Sequence, residues 1–317
     1  MTIAFALLLG CGAVSSSPAP EARVTFWWKP LNASSIAADV AGMRSFSATD
    51  VNLYCGYAAL ADGTFGVDPR PEGGWGDPTL CQEAVSTATH AGLGVQLVVE
   101  GRFDEPHVGA ALAAGGAAFG ASALDVLSTA QLLPAVRGLN LDFEPGRGGS
   151  VVAPLPTQEQ MDAFTAALSA RLSQPQHGLV LSACVSQWTS FSANFSRSLT
   201  AGGLGAVYDM GLYHGTSDAE WESKLQDASA RAGGGGGGGT GTAASARGLA
   251  VGLAISGLKY AWENTTASVE ARFAAMARAG IRHTALFAWS GGRAGGTAGM
   301  APALLAAWRT QLAQFVK

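Results

Sequence analysis

Short apolar runs alternate along the chain with longer segments that have helical periodicity. An apolar run of about 4–8 residues is typical of a strand buried on both faces, as in a parallel sheet. Eight such runs predict strands: Val24–Trp28, Val51–Tyr57, Gly94–Glu100, Gly138–Glu144, Leu179–Val185, Ala206–Tyr213, Leu249–Ile255 and Thr284–Trp289.

Helices are predicted between these strands, where apolar residues recur at the spacing of one helix face. The clearest are Asp77–Ala91, Thr157–Leu172, Ser217–Ala230, Ser268–Ala279 and Ala301–Phe315. Thr157 precedes Gln160 by three positions, a capping-box arrangement that predicts the start of one helix. This alternation favours the α/β class and a single (β/α)8 TIM barrel over residues 23–317. A doubly wound open sheet shows the same alternation and is the alternative.

Two low-complexity segments interrupt the pattern. Ala110–Ala121 is mostly alanine and glycine, and it predicts either a loop or a weakly specified helix. Gly233–Gly239 predicts a flexible insert, bounded as residues 233–242, before the seventh strand. A phosphate-binding loop would end in Gly-Lys-Ser/Thr, which does not occur there. We therefore expect the insert to contribute little to function.

The N-terminal segment has the pattern of a signal peptide, predicted over residues 1–22. Met1–Val14 is apolar, small residues follow, and the stretch is too short to span a bilayer. No Lys or Arg precedes the apolar run, so a lipoprotein cleavage site at Leu8–Cys11 is the alternative. We expect secretion, or a secretory or lysosome-like compartment. Three triplets compatible with N-glycosylation begin at Asn32, Asn194 and Asn264.

Composition and charge narrow the class of partner. Hydrophobic residues make up 48% of the chain and charged residues 13%, which is typical of a globular protein. The formal net charge is −4 and no Lys/Arg cluster occurs, so neither nucleic acid nor an anionic membrane is an expected partner. A neutral, polar substrate is favoured. No segment after the signal is predicted to span a membrane, and we expect a monomer.

The cysteines allow one disulfide at most. If Cys11 leaves with the signal, Cys55, Cys81 and Cys184 remain. Cys55 and Cys81 are the nearest pair in sequence, and three buried thiols are the alternative. Neither the cysteines nor the five histidines have the spacing of a zinc site, so no metal or other cofactor is expected.

The segment 138–145, Gly-Leu-Asn-Leu-Asp-Phe-Glu-Pro, is the strongest functional signal in the chain. Side chains alternate along a strand, so its polar residues share one face: Asn140, Asp142 and Glu144. Its other face is apolar, which fits burial on both sides better than an edge strand with a solvated face. Pro145 ends the strand and leaves Glu144 at the carboxyl tip, where active sites of parallel α/β folds lie. Buried carboxylates are costly unless they are paired or used in chemistry.

The segment 137–144 resembles the strand-four signature of family 18 glycoside hydrolases, the chitinases and chitobiases, which is Asp-Gly-x-Asp-x-Asp-x-Glu. Tyr213, at the end of the sixth predicted strand, resembles the tyrosine of the family's Met-x-Tyr-Asp motif. Trp289 ends the eighth and resembles the tryptophan that forms the family's sugar platform. The resemblance follows the strand order over nearly all of residues 23–317.

Several positions depart from the family pattern. Arg137 replaces the leading aspartate, and Asn140 replaces the first aspartate of the core, as in the chitobiase-type branch. With Tyr213 as the anchor, the methionine and aspartate positions of its motif hold Gly211 and His214.

Two further family features are missing from the sequence. Val98–Gly101 stands where the family has Ser-x-Gly-Gly in its third strand. The segment between Ile255 and Thr284 is too short for the large α+β insertion that deepens many chitinase clefts. Processive cleavage of crystalline chitin is therefore not expected.

The resemblance implies a substrate-assisted, retaining hydrolysis of glycans that contain β-linked N-acetylglucosamine. Glu144 would be the general acid and then the base, while the 2-acetamido oxygen of the substrate attacks the anomeric carbon. Asp142 would orient the acetamide, Tyr213 would bond its oxygen, and Trp289 would form the floor under the sugar. Asn140, on the same face as Asp142, is a further candidate for substrate binding. Trp28, at the end of the first predicted strand, is a further candidate for sugar stacking.

Two other functions remain open. A two-glutamate retaining glycosidase would need a carboxylate at the seventh strand, but Leu249–Ile255 has none, which leaves Glu100 or Glu263 as candidates. A non-catalytic chitin-binding lectin of the same fold is the second alternative. Such lectins typically lack the catalytic glutamate, and Glu144 is present.

Overall fold

The computed structural model describes residues 21–68, 76–102, 106–144, 156–185, 199, 202–209, 212, 217–232, 248–255, 265–290, 297 and 300–317. Nine strands lie within these ranges: β1 (Arg23–Lys29), β2 (Asp50–Ala59), β3 (Phe65–Val67), β4 (Gly94–Arg102), β5 (Gly138–Glu144), β6 (Val180–Val185), β7 (Ala206–Asp209), β8 (Leu249–Ala254) and β9 (His283–Ser290). Eight helices accompany them: α1 (Ala33–Ser45), α2 (Pro78–His90), α3 (Pro106–Ala114), α4 (Gly116–Thr129), α5 (Gln158–Leu172), α6 (Asp218–Ala232), α7 (Thr266–Arg278) and α8 (Pro302–Phe315).

Eight of the strands close into a parallel barrel in the order β1-β9-β8-β7-β6-β5-β4-β2, and the pairing of β1 with β2 completes the ring. That last pairing does not exist in an open doubly wound sheet. The predicted (β/α)8 barrel is therefore confirmed. The short strand β3 adds to β2 in the antiparallel direction, outside the ring.

Alternation along the strands produces two separate apolar clusters. The larger one lies between the barrel and its helices and includes the outer face of β5, where Leu139, Leu141 and Phe143 are fully buried. The ring of Phe143 lies 6.3 Å from that of Phe164 on α5. The smaller cluster fills the barrel interior and takes one residue from every barrel strand except β5: Trp27, Tyr54, Val98, Cys184, Tyr208, Ala250 and Ala285. The inner face of β5 is polar instead.

Helix α5 begins where its capping box predicts. The Thr157 hydroxyl accepts a hydrogen bond from the Gln160 amide at 3.2 Å, and the Gln160 side chain accepts one from the Thr157 amide at 2.8 Å. Two backbone donors of the first turn are thus satisfied by side chains, a well-known way to start a helix.

The alanine- and glycine-rich segment forms two helices, α3 and α4, rather than one helix or a loop. They are separated at Gly115, whose φ of 87° is accessible to glycine at little cost. The two axes bend by 107° there. No single described helix is long and apolar enough to cross a membrane, and only this bent pair satisfies the length and composition criteria when its halves are taken together.

One disulfide links the barrel to its helical layer. Cys55 on β2 is bonded to Cys81 on α2, with the two Cα atoms 5.3 Å apart, as the sequence proximity of the pair predicts. Cys184 keeps a buried thiol inside the barrel.

Two predicted features fall outside the described residues. They are the N-terminal signal segment, of which residues 1–20 are not described, and the glycine-rich insert at 233–242.

Candidate active site

Asn140 and Asp142 lie on the inner face of β5, and the strand ends at Glu144 at the carboxyl end of the barrel. Asn140 lies in the middle of the strand, Asp142 follows it, and Glu144 is the last residue of β5. In the register with β4, Asp142 lies opposite Glu100 and Glu144 lies opposite Arg102. This register places two acidic residues of β5 and one of β4 at the same end of the barrel.

A phenol holds the Asp142 carboxylate. The hydroxyl of Tyr54, on β2, donates a hydrogen bond to Asp142 Oδ2 at 3.1 Å. Tyr54 is only 5% exposed, and its ring lies 5.6 Å from the Trp27 ring at an angle of 38°. A donor to a carboxylate stabilises the charged form, so this bond favours an ionised and oriented Asp142.

Below Asp142, a chain of hydrogen bonds crosses the barrel interior. Gln96 donates from Nε2 to the Tyr208 hydroxyl at 3.2 Å, and its Oε1 accepts from Ser182 Oγ at 2.7 Å. Ser182 Oγ also accepts from Asn140 Nδ2 at 2.8 Å, and Asn140 Oδ1 accepts from Cys184 Sγ at 3.3 Å. All of these side chains are buried, and each is in its neutral form. The network is therefore a neutral polar layer beneath the carboxylates.

The layer continues to a buried histidine. His283 Nε2 and Thr25 Oγ1 are 2.8 Å apart, and the His283 ring lies 5.1 Å from that of Tyr208. Burial lowers the pKa of His283 to about 3, and the nearby Arg23 charge adds to the shift. Burial also raises the pKa of the Tyr208 phenol well above its ordinary value. Both groups are consequently neutral at pH 7.

Arg137, which stands where the resembled family has an aspartate, lies away from the carboxyl end. It precedes β5, and its Nη1 is 2.9 Å from Oδ1 of the buried Asp50 at the start of β2. Burial raises the pKa of Asp50, although a hydrogen bond from Thr49 and the Arg23 charge oppose that shift. The substitution therefore supplies a cation for a buried carboxylate at the amino end of the barrel.

The structure places Trp28 and Trp289 on the outer face of the barrel, which differs from their predicted place at its mouth. Both indole nitrogens donate to Asp39 on α1, from Trp28 to Oδ2 at 3.3 Å and from Trp289 to Oδ1 at 3.2 Å. Trp289 also packs edge-on against Phe26, with ring centroids 5.6 Å apart. A Cβ at Gly42 would overlap the Trp289 ring, so α1 accommodates this indole closely.

A register shift explains the placement of Trp289. Phe26 pairs with Leu286, but Trp28 pairs with Trp289, so two steps on β1 match three steps on β9. The additional residue reverses the inward and outward alternation of β9 at its carboxyl end. Trp28 and Trp289 therefore share the outer face, and Trp27 is the β1 tryptophan that points inward.

Sequence reasoning missed two inner-face residues. Tyr54, the partner of Asp142, was contained in a predicted strand without being singled out. Phe287 is half-buried and packs on the interior cluster from β9. Counting alternate positions along each strand, from Asn52 and from Ala285, is the signal that finds them.

Two further predictions concern Tyr213 and metal binding. Tyr213 lies outside the described residues. Across the described part of the chain, no group of three or more His, Cys, Asp or Glu side chains is arranged to hold a metal ion.

The similarity of this chain to known proteins lies in its structure. A scan against protein-family models and a search of curated proteins both find no match. Among solved structures, the chain is similar to a GH18 chitinase from Cycas revoluta in complex with (GlcNAc)3, with a TM-score of 0.59 and 12% identity over 93% of this chain and 99% of that one. It is also similar to a family 18 N-acetylglucosaminidase from Paenibacillus barengoltzii, with a TM-score of 0.58 and 11% identity over 92% and 99% of the two chains.

A third similar structure is a fungal endo-β-N-acetylglucosaminidase of glycosyl hydrolase family 18. Its TM-score is 0.54 and its identity 14%, over 91% of this chain and 96% of that one. Such coverage at low identity describes architecture and not activity. The protein therefore has the fold of family 18 glycoside hydrolases.

Proposed function

We propose that this protein is a glycoside hydrolase that cleaves β-linked glycans containing N-acetylglucosamine by substrate-assisted, retaining catalysis. The observation that carries the proposal is the position of Asp142 and Glu144 at the carboxyl end of β5, in a barrel with the family 18 fold. Catalytic residues of such barrels come from the carboxyl ends of the strands.

Glu144 acts first as a general acid and then as a general base. It protonates the glycosidic oxygen as the bond to the anomeric carbon breaks, and the carbonyl oxygen of the substrate's own 2-acetamido group forms the new bond to that carbon. The resulting oxazolinium ion is positively charged. Glu144, now ionised, removes a proton from water as the water opens this ring, which restores the original anomeric configuration.

Asp142 orients the acetamide and offsets the developing positive charge. Its carboxylate accepts a hydrogen bond from Tyr54, which favours the ionised form, and the hydrogen-bonded side chains beneath it are neutral. An ionised carboxylate that is already oriented needs little reorganisation during the reaction. Tyr213 would supply the hydrogen bond to the acetamido oxygen.

The floor beneath the sugar is assigned to Phe287. A platform must present an aromatic face on the inner side of the barrel, and Phe287 is half-buried there. The Trp289 indole instead donates its hydrogen bond to Asp39 on the outer side. The rims of sugar rings carry C–H groups that pack on aromatic surfaces, so a phenylalanine is sufficient for this contact.

The nature of the substrate is supported by the similar structures and by charge. The Cycas revoluta chitinase is in complex with (GlcNAc)3, and two other similar proteins are named for action on N-acetylglucosamine linkages. A net charge of −4 with no basic cluster suits a neutral glycan. The Cys55–Cys81 disulfide fits an oxidising compartment, in keeping with a secreted enzyme.

Glu144→Gln tests the proposal, because the amide keeps the shape of the side chain and cannot deliver a proton. We expect hydrolysis of chromogenic chitobiosides to fall by roughly 10²–10⁴-fold while binding of chito-oligosaccharides is retained. The matched control is Glu159→Gln at an exposed position of α5, which should leave the rate unchanged. A Glu144→Gln variant with most of its activity would refute the assignment, and a wild-type protein that binds but never hydrolyses would be a lectin.

A further inference from the structure

We infer that Tyr54 is a positioning residue for the proposed reaction, and that its hydroxyl holds the Asp142 carboxylate in its working orientation. This inference rests on the proposed function, since it gives Tyr54 a role through Asp142. Its geometric basis is the bond from the Tyr54 hydroxyl to Asp142 Oδ2 at 3.1 Å, which joins β2 to β5 past the intervening strand β4.

Asn140, the neighbour of Asp142 on the same strand face, is engaged elsewhere. Its Nδ2 donates to Ser182 at 2.8 Å, and its Oδ1 accepts from the Cys184 thiol at 3.3 Å. Both halves of this amide are therefore occupied in the layer below Asp142. An amide also cannot share a proton with a carboxylate as a second carboxyl group does. Tyr54, on another strand, does donate a hydrogen bond to Asp142.

The ring of Tyr54 is well suited to hold another group in place. It is 5% exposed and packs on Trp27, whose own ring also lies 6.0 Å from that of Tyr208. Burial and the Trp27 ring leave the phenol little rotational freedom. A donor that is already fixed loses less entropy when it forms its hydrogen bond.

The backbone at Tyr54 is fixed by local features of β2. Cys55 is tied to α2 by the disulfide, and Gly56 has a φ of 70°. The pairing of β2 with β4 shifts here, because the step from Leu53 to Tyr57 on β2 matches two positions on β4. Such a bulge redirects the side chains within it. The irregularity in β2 thus coincides with the residue that reaches Asp142.

The hydrogen bond from Tyr54 predicts the direction of a pH effect at Asp142, which lies among several titratable groups. On β4, Glu100 lies opposite Asp142 and Arg102 lies opposite Glu144, while Glu144 follows on β5 itself. On β6 the nearby titratable group is the Cys184 thiol, bonded to Asn140. A donated hydrogen bond favours the carboxylate over the carboxylic acid. Removing the Tyr54 hydroxyl should therefore let Asp142 take up its proton at higher pH.

Tyr54→Phe removes only this hydroxyl. We expect kcat on chitobiosides to fall by roughly 10–100-fold with little change in KM, because a hydrogen bond to a charged group is lost while the sugar contacts remain. The acid limb of the kcat profile should move to higher pH. Tyr57→Phe is the matched control: this residue is in the same strand, but it stacks on Phe65 on the outer side, and its kinetics should match wild type.

A double substitution separates positioning from general destabilisation. In an Asp142→Asn background, Tyr54→Phe should lower kcat far less than it does in the wild type, because the two residues act as one unit. If the two losses simply multiply, Tyr54 does not act through Asp142 and the inference is wrong.

The bond can also be tested without catalysis, by carbon-13 NMR titration of aspartate-labelled protein. The Asp142 resonance is assigned by its loss in Asp142→Asn, and its midpoint should rise in Tyr54→Phe but not in Tyr57→Phe. An unchanged midpoint would overturn the inference even if the enzyme is active. If wild-type protein hydrolyses no N-acetyl glycoside, the proposed function fails, and the same titration still decides whether Tyr54 controls Asp142.

Discussion

The side chain of Asn140 donates a hydrogen bond from Nδ2 to Oγ of Ser182 at 2.8 Å, between β5 and β6 in the fully buried interior of the barrel. Ser182 then donates to Gln96 Oε1 on β4 at 2.7 Å. One hydroxyl thus satisfies two amides on neighbouring strands. The level directly beneath Asp142 depends on this hydroxyl for its hydrogen bonds.

Ser182→Ala should lower the free energy of unfolding by about 1–3 kcal/mol, because it leaves buried polar groups of Asn140 and Gln96 without their partner. Urea unfolding followed by tryptophan fluorescence measures the loss. Ser86→Ala, at an exposed position of α2, is the control and should change stability little. A Ser182→Ala protein as stable as wild type would mean that the network contributes nothing.

Stability should fall as the pH is lowered from about 6.5 toward 3, and His283 should be responsible for part of the loss. Burial lowers the pKa of His283 to about 3, so within this range the unfolded chain takes up a proton that the folded chain does not. Lower pH therefore favours unfolding. Asp50, whose pKa burial raises, acts in the opposite direction in wild type and variant alike.

His283→Gln should reduce the slope of unfolding free energy against pH across this range. His90→Gln, at an exposed position of α2, is the matched control and should keep the wild-type slope. Urea unfolding at a series of pH values provides both curves. Equal slopes for wild type and His283→Gln would show that His283 takes up its proton in the folded protein as readily as in the unfolded chain.

Phe287→Ala should weaken substrate use, whereas Trp289→Phe should not. The loss of an apolar platform worth about 1.5–3 kcal/mol corresponds to roughly a 10–100-fold fall in kcat/KM. Trp289→Phe removes a hydrogen bond to Asp39 on the outer side, so it should lower Tm and leave kcat/KM near wild type. Steady-state kinetics below the melting temperature separate the two effects, and the opposite ranking would return the platform to Trp289.

Much of the barrel was predictable because period-two patterning is a local property of the sequence. Leu139, Leu141 and Phe143 marked one face of β5 as buried, and their polar neighbours marked the inner face. The start of α5 was predictable for the same reason, since Thr157 and Gln160 satisfy backbone groups within a single turn.

The details that depend on pairing between strands were not predictable in this way. The outward position of Trp289 follows from a register shift between β1 and β9, which no pattern within β9 alone contains. The contact of Tyr54 with Asp142 joins residues 88 positions apart. In the sequence, Arg137 stands where the motif has an aspartate. In the structure, it forms an ion pair with Asp50 at the other end of the barrel.

The dependence of the rate on the N-acetyl group tests the central claim most directly, because the proposed nucleophile belongs to the substrate. The measurement compares kcat/KM for 4-nitrophenyl β-chitobioside with that for 4-nitrophenyl β-cellobioside, which differ at the 2-position of each sugar. We predict hydrolysis of the chitobioside and no detectable hydrolysis of the cellobioside. Equal turnover of the two would contradict substrate assistance and would favour a mechanism in which a second carboxylate, such as Glu100 beside Asp142, is the nucleophile.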